Sequence, residues 1–316
     1  MSVQTKFYFS HARTGLKYGL SSLNLKKGDQ ILIPDFICSS VLQPIKEIGL
    51  NYFFYETLEN LEPKWESLPN FLTSKTKAIL FVHFFGQPQD LERFIKFSQD
   101  HNVFLIEDNA HGHGGSFNGK RLGTYGDIGI SSPRKFIGAK GGGVLNLNTS
   151  KEIQLLGLEK MQEINTQKDF SSFLDSLPQI KNLLRRLIKR RPPYEDPYGF
   201  LEPEIEDKIL DLKTIESIEN IDWGEISTIR RNNYYRWNKF ALKNKLIPVY
   251  EELSDEANPW CFPAYTSSRE ESIRWFKWAW RNNVNVFSWP SLPEEVIKED
   301  GPILRRWEKL VCFSTA

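Results

Sequence analysis

Through the first 150 residues, short runs of consecutive apolar residues alternate with stretches whose apolar positions recur every three or four residues. Residues 30–34 (QILIP), 51–56 (NYFFYE), 77–84 (KAILFVHF) and 103–108 (VFLIED) have the first pattern, which predicts strands buried on both faces. Residues 38–49 and 90–102 have the second and predict amphipathic helices between those strands. Strand, helix and strand in this order predict an α/β fold with a mainly parallel sheet flanked by helices. Two further runs, 127–132 and 142–148, extend the sheet. Beyond it, helical periodicity is expected over 151–191 and again over 210–243, with strands at 245–250 and 284–287. The Pro-rich stretch PPYEDPYGFLEP after Arg191 marks a break. It divides the chain into a large domain, 1–190, and a linker, connecting helix and small α+β C-terminal domain, 191–316.

Charge narrows the partners. The 316 residues carry 41 Lys and Arg against 40 Asp and Glu, so no overall field draws the chain to nucleic acid or to an anionic membrane. The start, MSVQTKFYFS, lacks an uninterrupted apolar segment, and no run approaches the length of a membrane span. A cytoplasmic protein acting on a small molecule is expected. Three well-separated cysteines, Cys38, Cys261 and Cys312, fit reduced thiols better than a disulfide framework. A basic run, RRLIKRR at 185–191, reads first as a solvated helix face. Most of the nine Trp follow residue 220, where core filling competes with an aromatic surface on the substrate side.

The stretch SSPRKFIGAKGGGV, 131–144, sets Lys135 and Lys140 beside three glycines. It is not a phosphate loop, because Lys140 is followed by Gly141 and no hydroxyl is in place for magnesium. Ser132-x-x-Lys135 matches a penicillin-recognising hydrolase, but the companion Ser-Asp-Asn and Lys-Thr-Gly triplets are missing. In a parallel sheet, ligands collect outside the carboxyl ends of the strands, and three predicted ends carry chemistry. One bears Asp108, His111 and His113, one bears Ser132 and Lys135, and one bears His83.

Asp108, His111 and His113 could bind a metal, but the sequence offers no fourth ligand cluster, and a lysine in the same crevice opposes a cation. Pyridoxal phosphate fits more of the residues. Its aldehyde needs an amine, its ring nitrogen a carboxylate and its phosphate N–H and hydroxyl groups. Lys135 and Asp108 supply the first two, and His111 is placed for the ring face or the ring hydroxyl. Ser132, with Arg13 and Thr14 at a predicted helix N-terminus, supplies the third.

These pieces resemble a known family. FSHARTGLKYGLSSLNLKKGDQILIPDFICSS, TSKTKAILFVHFFGQPQDL, FLIEDNAHGHGGSFNGKRLGTYGDIG and SSPRKFIGAKGGGV are similar to the large domain of the pyridoxal-phosphate-dependent nucleotide-sugar aminotransferases of DegT/StrS type, a branch of fold type I. The likeness continues more faintly through EISTIRRNNYYRW and VFSWP. It implies that Lys135 forms the Schiff base, Asp108 pairs with the pyridinium and His111 takes the family's Gln or His position. Arg13, Thr14 and Ser132 would hold the phosphate, with Ser131 the alternative because the segment before the lysine is short. Cys38 stands where relatives often place a Trp stacked on the cofactor, and Lys140 is expected to be solvated or to contact a phosphate. The resemblance further implies an amino-acid donor such as glutamate, a keto-sugar nucleotide as acceptor and a homodimer. Related sugar 3-dehydratases carry histidine in place of the lysine, so Lys135 argues for amine transfer. A non-catalytic partner subunit and a metal hydrolase are the other readings. The likeness runs out near Ala316, where relatives continue for a further helix, so either the small domain is trimmed or the sequence is incomplete.

Overall fold

The computed structural model describes residues 3–139, 141–149, 158, 161–164 and 204–316. The strands are β1 (Val3–Phe9), β2 (Gln30–Pro34), β3 (Asn51–Tyr55), β4 (Thr76–Val82), β5 (Phe104–Asn109), β6 (Ser116–Phe117), β7 (Lys120–Arg121), β8 (Ile128–Ser131), β9 (Gly143–Thr149), β10 (Gln162–Ile164), β11 (Lys208–Leu210), β12 (Ile247–Pro248), β13 (Cys261–Tyr265), β14 (Val286–Phe287) and β15 (Leu310–Ser314). The helices are α1 (Ala12–Ser22), α2 (Leu42–Glu47), α3 (Leu91–His101), α4 (Arg134–Ile137), α5 (Leu212–Glu219), α6 (Trp223–Lys243), α7 (Arg269–Asn282), α8 (Glu294–Glu299) and α9 (Pro302–Lys309).

The large sheet has the order β10-β11-β1-β9-β8-β5-β4-β2-β3. From β3 to β8 the neighbours are parallel. Their continuous apolar runs arise because successive residues serve opposite, equally buried faces. Ile31, Ile33, Leu80 and Ile106 join Leu16 and Leu20 of α1 on one side. Leu32, Ile79, Phe81 and Leu105 join Phe94 and Phe97 of α3 on the other. Asp90 starts α3 by accepting a hydrogen bond from the Arg93 N–H, and Asn102 ends it in the left-handed region, as capping chemistry favours.

β9 is antiparallel to β8, and β1 is antiparallel to β9. β1 therefore runs with the parallel strands, and its last residue, Phe9, delivers the start of α1 to the carboxyl edge of the sheet. Gly143 makes room for that start, since a Cβ there would lie 2.2 Å from the His11 carbonyl carbon and 2.4 Å from the Ala12 nitrogen. Glu107, on the face of β5 opposite Asp108, accepts from the N–H groups of Gly123, Tyr125 and Gly126. It thereby fixes the loop that turns the chain into β8.

The runs at 30–34, 51–56, 77–84, 103–108, 127–132 and 142–148 correspond to β2, β3, β4, β5, β8 and β9. Elsewhere the structure corrects the periodicity. The pattern over 210–243 is two helices, because α5 stops at Glu219 and Asp222 caps α6 by accepting from the N–H groups of Gly224 and Glu225. The strand expected over 245–250 shrinks to Ile247–Pro248, where proline removes a ladder donor. The helix expected over 151–191 lies largely outside the described residues, but 162–164 form β10, paired in parallel with β11. The basic run and the Pro-rich stretch lie outside the described residues too.

The second sheet, β12-β13-β15-β14, is antiparallel. Its core is continuous with that of the first half: Cys261, Trp289, Val296, Leu304, Trp307 and Cys312 belong to the same apolar cluster as Ile37, Val41 and Ile45. All three cysteines are free thiols. No described helix is long and apolar enough to cross a membrane.

Candidate active site

The carboxyl edge of the large sheet opens into a cavity of about 1170 Å³. β5 brings Asp108 to it, and the chain leaving β8 brings Ser132 and Lys135. α1 presents His11 and Arg13, and the C-terminal half closes it with Trp260 and Trp289. Burial brings the Lys135 ammonium down to about 8. Arg134 acts in the same direction, and Cys38, Asp108 and Cys261 oppose it. The neutral form, a far larger share at pH 7 than for an ordinary lysine, is what a nucleophilic or proton-moving amine requires.

Asp108 is buried, which raises its carboxyl above the usual range. The Ala110 N–H, donated to its Oδ1 at 2.9 Å, and the nearby charge of Lys135 counter that rise. A buried carboxylate of this kind gains from a second cationic partner. His111 accepts from the Phe85 N–H at Nδ1 (3.3 Å), so its neutral ring carries the proton on Nε2. Burial and Lys135 hold its pKa well below the ordinary value. The ring lies nearly flat on Trp260, with centroids 4.5 Å apart and planes at 26°, and Trp289 meets it edge-on.

The anion end lies at α1. Arg13 and Arg134 flank His11 and, after burial itself, hold its imidazole at about 4. The Nδ1 of His11 is buried without a hydrogen-bond partner among the described residues. A helix N-terminus with two guanidinium groups and an unsatisfied ring nitrogen suits a phosphate.

Several expected residues fall elsewhere. Thr14 does not line the cavity: it is buried, and its hydroxyl donates to the Glu206 carbonyl at 3.0 Å. One step along a helix turns a side chain by about 100°, which separates it from Arg13. Ser131 pairs with Nδ1 of His113 at 2.8 Å, while Ser132, on the other side of the strand, lines the cavity. His113 also packs edge-on against Trp223, so His111 and His113 diverge rather than converge on a metal. His83 is fully buried, with Nε2 2.9 Å from Glu107, on the face away from the cavity. Cys38 does reach the wall, where its sulfur lies 3.2 Å from the Ser291 hydroxyl. Lys140 lies outside the described residues. His11, Arg134, Trp260 and Trp289 were not read from the sequence. Arg134 sat beside Lys135, His11 two residues before Arg13 and Trp289 within VFSWP, all in stretches already singled out, but nothing local marks Trp260.

Comparison with known proteins matches residues 7–170 to the DegT/DnrJ/EryC1/StrS aminotransferase family. GDP-perosamine synthase of Escherichia coli O157:H7 is 32% identical over 127 residues, 40% of this chain and 35% of that protein. GDP-perosamine synthase of Vibrio cholerae is 24% identical over 317 residues, 92% of this chain and 83% of that protein. Among solved structures, E. coli GDP-4-keto-6-deoxy-D-mannose-3-dehydratase with bound hydrated PLP superposes with a TM-score of 0.66 at 18% identity, covering 98% of this chain and 83% of that one.

Proposed function

The chain belongs to the DegT/DnrJ/EryC1/StrS aminotransferase family, with the fold type I architecture, and from that membership we propose that it transfers an amino group from an amino acid such as glutamate to a keto-sugar nucleotide. Its cofactor is pyridoxal 5′-phosphate. The observation that carries the proposal is the placing of Lys135, with its lowered proton affinity, in one cavity with the buried Asp108.

The residues present fit the cofactor. Lys135 offers the amine, Asp108 a buried carboxylate for the ring nitrogen, and His11, Arg13, Arg134 and Ser132 the setting for a phosphate. Bound pyridoxal phosphate supplies an aldehyde and an electron-accepting ring that acidifies the carbon bearing the donor's amine. Lys135 would take a proton from that carbon at Nζ and give it up to the cofactor within the same half of the cycle, and would do the reverse in the other half. Asp108 would hold a proton at the ring nitrogen through its carboxylate. His111, neutral and clamped between Phe85 and Trp260, orients without exchanging charge. Trp260, whose ring faces the amine, would keep water from it.

A 3-dehydratase reading is favoured by several matches, among them GDP-4-keto-6-deoxy-D-mannose 3-dehydratase of Yersinia pseudotuberculosis, 24% identical over 236 residues, and the solved dehydratase above. The test separates the two. Purified protein given glutamate alone should discharge its cofactor to the amine form, and a 4-keto or 3-keto sugar nucleotide should then recover it with nitrogen in the sugar product by mass spectrometry. A deoxy-keto sugar without nitrogen would support dehydration, and no response to glutamate would support a non-catalytic subunit. Family membership also supports a homodimer, which sedimentation would report at twice the 36.8 kDa of the chain.

A further inference from the structure

Trp260 touches both Lys135 and His111. The Lys135 ammonium lies 4.5 Å from the centroid of its indole ring, inside the distance at which a cation is attracted to an aromatic face. The same indole stacks on His111 at 4.5 Å and packs on Phe287 at 4.9 Å. Its backbone is fixed at both ends: the N–H donates to the Phe85 carbonyl at 2.9 Å, and its carbonyl accepts from Arg230 at 3.2 Å and from the Thr315 hydroxyl at 2.9 Å. Arg230, only 4% exposed, also donates to the carbonyl of Phe136 at 3.2 Å. One guanidinium therefore ties the backbone beside Lys135 to the backbone of the ring beneath it.

We propose that Trp260 is a positioning residue for Lys135: its ring face is the resting place of the amine whenever that amine is not joined to cofactor, and it sets how readily the amine holds a proton. The purpose of this arrangement rests on the proposed aminotransferase reading, in which Lys135 is released and recaptured in every cycle. The contact itself belongs to the cofactor-free protein. Other groups facing the amine are Asp108 from β5, Cys38 from the segment after β2, Arg134 from its own helix, Cys261 from β13 and the neutral His111. Burial and Arg134 favour the neutral amine, and the indole face favours the ammonium. Removing the face while keeping an apolar side chain should therefore make Lys135 release its proton at lower pH.

The test uses cofactor-free full-length protein, acylated briefly with acetic anhydride across pH 6 to 11, with the Lys135 peptide quantified by mass spectrometry. In Trp260→Leu the midpoint of Lys135 reactivity should fall by about half a unit to one and a half units, the range set by a cation–π contact of ordinary strength. Trp260→Phe should restore part of the shift. Should the leucine variant fail to fold, biosynthetic replacement of tryptophan by its fluorinated analogues provides the second arm, since fluorine thins the negative charge on the ring face and changes its shape little. The midpoint should then fall stepwise with the number of fluorines. A midpoint unmoved by fluorination, or one that rises in Trp260→Leu, overturns the proposal. The readout requires no turnover, so it can fail while the glutamate test succeeds, and the reverse.

Discussion

Lys135 is a buried cation without a fully compensating partner, and that has a consequence for stability. Folding lowers its proton affinity from 10.5 to about 8, so between those values the unfolded chain binds more protons and stability rises with pH. The burial cost is complete below 8 and gone above 10.5. Lys135→Met in cofactor-free protein should accordingly be more stable than the parent by about 3 kcal/mol at pH 7, and urea titrations should show the gain shrinking to nothing as pH rises through that window. A pH-independent difference would contradict the burial of the charge. Asp108→Asn should retain some cofactor yet lose roughly a hundredfold in turnover, as when preorganised charge is removed; undiminished steady-state rates would remove Asp108 from the mechanism. The placement of both at the sheet's carboxyl edge was legible in the sequence, because Asp108 lies at the end of one recognisable strand and Lys135 follows another. Thr14 was expected beside Arg13, but the phase of α1 turns its hydroxyl to the Glu206 carbonyl, and that phase is not written in the local sequence. Trp260 could not be read at all, because a single tryptophan has no local signature.

Among the elements, the start of α1 is the joint between fold and site. Gly143 permits it, and Gly143→Ala must push the backbone of His11 and Ala12 away from the sheet. A loss of about 1–3 kcal/mol is expected for such overpacking, together with weaker binding of pyridoxal phosphate measured by fluorescence titration. If stability falls and affinity does not, the phosphate lies elsewhere. The caps give a milder expectation. Asp222→Ala removes the acceptor for two N–H groups at the start of α6, and should cost about 1 kcal/mol in urea denaturation. The parallel strands were legible because burial on both faces leaves a continuous apolar run. β1 was not, since VQTKFYF mixes polar and apolar positions in a strand paired antiparallel on both sides. β13 and β15 find their partners across 44 residues of chain, Tyr265 to Leu310 marking the near end of that ladder, and no local pattern encodes such a pairing.

At the scale of the whole molecule, the chemistry comes from the first half of the chain and the aromatic wall from the second. One apolar cluster joins them, and Arg230 reaches from α6 to the backbone on both sides of the cavity. The near balance of charge keeps the exterior neutral, and cations gather inside, where Arg13, Arg134, Lys135 and Arg230 line the cavity with Asp108 as the acid among them. An interior of that sign suits a cofactor and substrates that bring phosphate and carboxylate groups with them. The most direct measurement is borohydride reduction of the cofactor-loaded protein, with and without prior glutamate, followed by peptide mass spectrometry. The account predicts one reduced cofactor adduct, on the peptide containing Lys135, which disappears when glutamate is added first. An adduct on Lys140 or another lysine, or one on Lys135 that persists after glutamate, would contradict it.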